Sequence, residues 1–572
     1  MSLSIRTVCW MLFLGWVFLF KPTGYISSLE SRTSTSIQLS LDWQHYHNYS
    51  EIVEVLVSLN ESHPAIVDLF SIGTSWWGRE IYCVRLTNES NLDPKPEVFF
   101  VGYHHAREPI SAELPLYFLV YTAENFGLNA TITYILNNCE IYVLVALNVD
   151  GFDLFQANDW QRKNARPTNE DSDGLVDEDP PEDENENGFI DQLIDYSVPG
   201  GSFIRWEGLD NDADSNYGED WIGGVDLNRN YDFSWESGVS DPNSEIYKGP
   251  SPFSEPETQA LRDFVLDHDF SYALSYHSGI ELILYPWGHT YDPPPDEAEF
   301  IEISADLSEI TQGTPYGQGS FLYRTYGVWD DWMYGIAGVK AFTCEVFTNE
   351  TWSGVAEPGP DPNTVWEGGL KYWFNPFPQA IETVILRWLP TFFYIAERAV
   401  SEFTHDIAVT ATSLERQVIG VGHSYRLNIT IRKEGGFDET TNLRVYMNSS
   451  LASEEPLNLT RRSTTIIPIA CNTSGWIKGN YSITVEALPV PEETEILDNF
   501  FVDGWIFISI PGDVDLDKDV DIFDIVVIAV SYGFTAQSPQ YNPDADINDN
   551  GTVDIFDVVL AVENYGEDWL PY

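Results

Sequence analysis

The feature that most constrains the fold is an apolar run, Glu97-Val98-Phe99-Phe100-Val101-Gly102, that ends in Tyr103-His104-His105-Ala106-Arg107-Glu108-Pro109. A Pro94-Lys95-Pro96 turn precedes it. Such a run reads as a strand buried on both faces, so it needs neighbours on either side. The sequence supplies them. Ala65 to Ser71, Ile81 to Leu86 and Glu140 to Asn148 are further strand-like runs. Tyr49 to Leu59 and Ser111 to Phe126 carry apolar residues at helical spacing. Alternating strands and helices predict an α/β fold with a mixed, mostly parallel sheet flanked by helices. Ligands in such folds sit at the carboxyl ends of strands, where His105 and Glu108 fall. A His and a Glu three residues apart can reach one metal ion, and a His₂Glu set leaves zinc a fourth position for water. The pair alone has little specificity, because short His/Glu spacings also arise on ordinary surfaces.

At 572 residues the chain is too long for one core. Residues 1–28 read as a signal peptide: Arg6 is the charged start, Val8 to Phe20 the apolar core, and Lys21-Pro22 breaks the run. That run is too short for a comfortable membrane span and no second span exists, so a secreted protein, extracellular or associated with the cell surface, is expected. Asn-x-Ser/Thr sequons at Asn48, Asn60, Asn88, Asn129, Asn428, Asn448, Asn458 and Asn480 agree with export. Cys83 and Cys139 both lie in strand-like runs, where they either pair or stay buried as free thiols. The net charge of −62, from 28 basic and 90 acidic residues, excludes nucleic acid and anionic membranes as partners.

The acid is clustered in Asp/Asn/Gly runs. Residues 167–220 form a polar insertion holding Asp171-Ser-Asp173-Gly174-Leu-Val-Asp177 and Asp183-Glu-Asn185-Glu-Asn187-Gly188-Phe-Ile-Asp191. Carboxylates at alternate positions followed by Gly suit calcium, and a disordered acidic tract is the competing reading. Strand-like and helical runs then resume, and a helix from Ala380 to Ala399 closes a domain over 29–404. From 405 to 510 the texture changes to short β-runs separated by Ser/Thr/Asn/Gly turns, which predicts an immunoglobulin-like β-sandwich. Residues 511–572 contain a repeat. Asp513, Asp515, Asp517, Asp521 and Asp524 recur as Asp546, Asn548, Asn550, Asp554 and Asp557, and each set precedes a helix. This double loop-helix resembles a type I dockerin. The resemblance implies calcium at both loops and docking to a cohesin-like or cell-surface scaffold partner. Lys518 stands where the first loop wants Gly.

Several motifs in order over about residues 40–400 resemble the zinc carboxypeptidases of the carboxypeptidase A/B family. His277 ends the run Tyr272-Ala-Leu-Ser-Tyr-His277, and Glu345 lies in Lys340-Ala-Phe-Thr-Cys-Glu345-Val. Trp160-Gln-Arg162, Gly224-Val-Asp226-Leu-Asn228-Arg229 and Tyr323-Arg-Thr-Tyr-Gly327 complete the set. The resemblance implies one catalytic zinc on His105, Glu108 and His277, and Glu345 as general base. It implies Arg162 at the developing oxyanion, and Asn228 and Arg229 on the terminal carboxylate of the peptide or protein substrate. Tyr323 would be a mobile substrate group, Arg107 a subsidiary substrate Arg, and Asp226 the partner of His105. Asp330 falls where relatives that remove Lys or Arg carry an acid, so basic or broad specificity is expected. A zinc amidase or deacylase on the same scaffold, and a non-catalytic adhesion protein, are the competing readings.

Overall fold

The computed structural model describes residues 41–168, 181–208, 210, 217, 223–414, 417–433, 435–460, 463–515 and 517–568. The signal-like segment and the Asp171–Asp177 loop lie outside the described residues. The described residues from Asp42 onward belong to one compact unit.

The amino-terminal half is built on an eight-stranded sheet: β1 (Val67–Thr74), β2 (Glu80–Leu86), β3 (Glu97–Val101), β4 (Glu140–Leu144), β5 (Phe270–His277), β6 (Glu281–Tyr285), β7 (Tyr316–Gln318) and β8 (Lys340–Val346). The order is β1-β2-β4-β3-β5-β8-β6-β7. The four neighbours β4, β3, β5 and β8 run parallel to one another, and β1–β2, β2–β4 and β8–β6 are antiparallel. Val98, Phe99, Phe100 and Val101 are fully buried, as a central strand requires. Helices α1 (Tyr49–Ser62), α2 (Ile110–Asn125) and α3 (Ala130–Asn138) precede the central strands in the chain or link them. The 22-residue helix Ile381–Glu402 packs on α2 and α3, with Phe392 stacked on Phe118 at 4.3 Å. Cys83, Cys139, Cys344 and Cys471 are all free and buried. Among the described residues, no helix is long and apolar enough to cross a membrane.

Part of the acidic insertion is folded. Asp191–Asp195 and Ser202–Trp206 form a hairpin that joins Thr364–Gly368 and Val355–Pro358 in a four-stranded antiparallel sheet. The local acid density gives no hint of this, because the pairing partner is more than 160 residues away in sequence.

Beyond residue 405 two sheets enclose a separate apolar core that includes Leu427, Ile429, Val445, Ile483 and Ile506. One has three strands (Ile407–Leu414, Ser424–Lys433, Thr464–Asn472) and the other five (Val418–Gly420, Phe500–Ser509, Gly479–Ala487, Glu439–Met447, Ser450–Leu459). Two of these eight strands escape the sequence pattern. Val418–Gly420 is only three residues long, and Ser450–Leu459 is an edge strand rich in polar residues with Pro456 in it. An edge tolerates a proline that a central strand would not.

The carboxyl end carries helices Ile522–Ser531 and Ile555–Glu563 over a small core of Val520, Ile528, Ala545, Ile547, Val553 and Ala561. The apolar spacing predicts helices over Ile525 to Tyr532 and Val558 to Tyr565, and both start three residues earlier. Asp521 and Asp554 cap them, and Asp524 and Asp557 complete a capping box in each. Lys518 takes φ 82°, and Gly551 at the equivalent loop position takes φ 85°.

Candidate active site

The strand β3 has to stop where it does. A Cβ on Gly102 would lie 2.2 Å from the Ser111 carbonyl oxygen, so the chain passes too close for any side chain there. Tyr103 then takes a left-handed φ of 57°, which turns His104 and His105 away from the strand path. That conformation costs about 1–2 kcal/mol for a non-glycine residue. Tyr103 is held in it by its hydroxyl donating to the Ala106 carbonyl at 2.6 Å, by Ser111 accepting from its amide, and by stacking on Phe152 at 4.1 Å.

His277 arrives from the neighbouring parallel strand. The register of β5 and β8 pairs His277 with Glu345, so two residues 68 apart in sequence end side by side. His105 Nδ1 lies 2.8 Å from Glu108 Oε1, and His277 Nδ1 lies 3.1 Å from Glu108 Oε2 and 3.2 Å from His105 Nδ1. All three residues are buried. His105 Nε2 faces the Asp226 carboxylate at 3.2 Å. With its proton on Nε2, His105 turns the lone pair of Nδ1 toward Glu108 and His277. Lone pairs and a carboxylate converging within 4.8 Å repel unless a cation lies among them. Two imidazole nitrogens and a carboxylate fit zinc, with a position left open.

Burial lowers His277 to about 4, and the neighbouring His105 adds to the effect. Burial works against ionised Glu108, but His105 and His277 overcome it and hold Glu108 well below the carboxylate range. The His277 imidazole is therefore available as a neutral donor and Glu108 as an anion.

Asp226 ties the site together. Its Oδ2 accepts from Arg162 Nε at 2.9 Å, and its Oδ1 accepts from the Asn228 amide at 2.9 Å as well as facing His105. Burial raises the Asp226 pKa, but Arg162, Arg229 and His105 reverse this and hold it well below the usual range. Asn228 accepts from the Trp329 amide at 2.8 Å, which fixes its side-chain amide. Arg229 donates to the Asn228 carbonyl at 2.6 Å and to the Tyr323 hydroxyl at 3.3 Å. Tyr323 is 54% exposed although it borders a buried Arg, as suits a group on the rim of a cleft.

Glu345 Oε2 is buried without a hydrogen-bond partner. Burial raises its pKa well above the ordinary value, Glu108 adds to the rise, and Arg162 and Arg229 oppose it. A carboxyl shifted this way is a basic carboxylate once charged, the property a proton-accepting group needs.

Arg107 is engaged by a residue the sequence patterns miss. Its fork meets Glu245 through two contacts of 3.1 Å, and its guanidinium lies over Phe374. His104 is bracketed by Tyr231 and Ser275, and burial drives its pKa well down. That leaves it a neutral packing group. Asp330 is buried beside Asp331, and burial followed by Asp331 raises it to about 7. Asp331 accepts from the Gly288 and His289 amides. The structure thus brings His105, Glu108, His277, Glu345, Arg162, Asp226, Asn228, Arg229 and Tyr323 to one place.

The family model described as zinc carboxypeptidase matches residues 52–384. Carboxypeptidase B of Astacus astacus is 32% identical over 317 residues, which cover 54% of this chain and 88% of that protein. Carboxypeptidase A1 of Sus scrofa is 28% identical over 306 residues, 52% of this chain and 60% of that protein, so the chain spans less than two thirds of its length. The solved carboxypeptidase A from Helicoverpa armigera aligns at 20% identity with a TM-score of 0.47, covering 64% of this chain and 76% of that one.

Proposed function

The chain belongs to the zinc carboxypeptidase family of peptidase hydrolases, and from that premise we propose that it is a secreted metallocarboxypeptidase removing C-terminal residues from peptides and proteins. The observation that carries this reading is the buried, unpartnered Oε2 of Glu345 beside the converging His105, Glu108 and His277. Those three residues would hold the zinc. Bound there, the ion would polarise the scissile carbonyl and acidify water.

The remaining chemistry belongs to the chain. Glu345 accepts the proton of the attacking water as the new C–O bond forms. Arg162, held by Asp226, donates to the carbonyl oxygen as charge grows there. The C–N bond then breaks, and Glu345 returns its proton to the departing amine. Asn228 and Arg229 bind the free terminal carboxylate, for which the guanidinium fork is suited. Tyr323 closes over that end, and Arg107 lines the approach. This set favours an exopeptidase over an amidase or deacylase, which has no need of a carboxylate clamp. Asp330 supports a preference for C-terminal Lys or Arg, or a broad preference that includes them.

The region 405–510 is read as an immunoglobulin-like module without chemistry, and 511–572 as a dockerin-like module. Calcium at Asp513, Asp515, Asp517, Asp521 and Asp524, and at Asp546, Asn548, Asn550, Asp554 and Asp557, would order its two loops. Matching exposed residues on its helices, Ile522, Phe523 and Val526 on one and Ile555, Phe556 and Val559 on the other, support a cohesin-type protein partner.

The test is hydrolysis of paired peptides with free and amidated C-termini by the protein and its Glu345→Gln variant. Selective cleavage of the free form, lost in the variant with zinc retained, is expected. Equal cleavage of both peptides, or activity that survives the substitution, would refute the reading.

A further inference from the structure

We propose that the loop Asp183–Asp191 together with Glu207 is a calcium site in which the last ligand of an EF-hand-type loop comes from a separate strand. In a contiguous loop of this type, positions 1, 3, 5 and 9 supply side-chain oxygens, position 7 a backbone carbonyl, and position 12 a bidentate acid. Counting from Asp183, the first four are Asp183, Asn185, Asn187 and Asp191, and position 7 is Phe189. Position 12 is Ile194, which has no side-chain oxygen. Read along the sequence, the loop lacks its last ligand.

The hairpin supplies one. Ser202–Trp206 pairs back along Asp191–Asp195 and delivers Glu207 to the loop. Glu207 Oε1 accepts from the Asn185 amide at 2.9 Å, and Oε2 accepts from the Asp191 amide at 3.0 Å. Glu207 and Asp191 are both fully buried. The side-chain Nδ2 groups of Asn185 and Asn187 donate to Asp191 Oδ2 at 3.0 and 2.7 Å. Its other oxygen, Oδ1, is buried and accepts nothing. Among the described residues, no Lys or Arg pairs with Asp183, Asp191 or Glu207; the nearby Arg205 is engaged by Glu184. Buried carboxylates without a cation are costly, and a divalent ion is the usual remedy. A set made wholly of oxygen donors, with three carboxylates and two amides, selects calcium over a transition metal.

Occupancy would reach the active site through few bonds. The Ile190 carbonyl accepts from the Trp160 indole at 2.8 Å, and the Ile190 amide donates to Asp159 at 3.2 Å. Trp206, next to Glu207, packs edge-on against Trp160 at 4.8 Å. The Trp160 carbonyl accepts from Arg107 at 3.2 Å, and Arg162 follows two residues later. Calcium here braces the segment that presents Arg162, and it does so whether or not the carboxyl-terminal loops bind calcium.

The test uses the full-length chain with Asp524→Ala and Asp557→Ala, which disables those loops. Bound calcium is counted by elemental analysis after equilibration in buffered micromolar calcium. Terbium emission excited through tryptophan is recorded in parallel. Adding Asp183→Ala or Glu207→Gln should remove one ion per chain and most of the terbium signal. Asp183→Ala, at a partly exposed position, keeps the test decisive if Glu207→Gln impairs folding. Unchanged calcium stoichiometry in a folded Asp183→Ala protein would overturn the proposal. The difference between variants isolates this site from any other calcium the chain holds, and neither readout depends on peptidase activity.

Discussion

Replacing Asp226 with Asn tests the site's wiring in one step. The substitution keeps the shape and one acceptor oxygen but removes the charge shared by His105, Arg162 and the Asn228 amide. Loss of a partner that orients a metal-ligating His typically weakens metal binding by about 10–100-fold. Arg162 loses its charged acceptor at 2.9 Å, and its side chain is only 12% exposed. Stranding such a charge costs about 3–5 kcal/mol when burial is complete, so a stability loss toward the lower figure is expected. Misplacing one oxyanion donor costs about 10²–10³-fold in turnover. The two functional effects separate by zinc titration. At limiting zinc, kcat/KM should fall by about 10³–10⁵-fold, the product of both factors. Saturating zinc should restore the binding share and leave a deficit of about 10²–10³-fold in kcat. The assay is steady-state hydrolysis of a blocked dipeptide across a zinc-buffer series, with circular dichroism to confirm folding at the assay temperature. A folded variant with zinc affinity and kcat both within threefold of the parent would refute the assigned coupling.

Other perturbations give equally direct readouts. Glu257 is fully buried, and burial raises its carboxyl to about 8. A carboxyl raised above its unfolded value favours the folded state at low pH, and that stability is lost as pH climbs from about 4.5 toward 8. Thermal midpoints of the parent should therefore fall over this window, and Glu257→Gln should flatten the slope; parallel slopes would refute the assignment. Asp330→Asn should lower kcat/KM for C-terminal Lys and Arg by about tenfold or more while leaving aromatic C-termini within a few-fold, as expected for loss of about 1.4 kcal/mol or more of charge pairing. An unchanged ratio would remove Asp330 from specificity. Lys518→Gly relieves the left-handed φ of 82° and should stabilise the carboxyl-terminal region by up to about 1 kcal/mol, measured by calcium-dependent melting.

Much of the site is legible because its parts are short and local. His105 and Glu108 need only a strand end and a turn to share a metal. Asp226, Asn228 and Arg229 lie within one tight segment, Leu227–Arg229 being a single 3₁₀ turn. What the sequence leaves out are partners brought from afar. Glu245 on Arg107 and Tyr231 on His104 belong to no motif, and nothing in their neighbourhood marks them. Strand ends shift by a few residues wherever hydrogen bonding outlasts the apolar pattern, as in Val67–Thr74. The carboxyl-terminal helices begin early because capping, a polar interaction, sets their start and apolar spacing does not.

The sequence by itself determined the buried central strand, the metal-ligand spacing at its end, and the duplicated acidic loops with their helices. These depend on side-chain type and covalent spacing, which a linear reading contains. Only the tertiary structure decided that Glu345 stands beside His277, that Cys83 and Cys139 stay unpaired, and that Glu207 meets the loop begun at Asp183. Sheet register sets the first and third of these. Register is a long-range property, fixed by which faces must be buried together, and no local stretch records it.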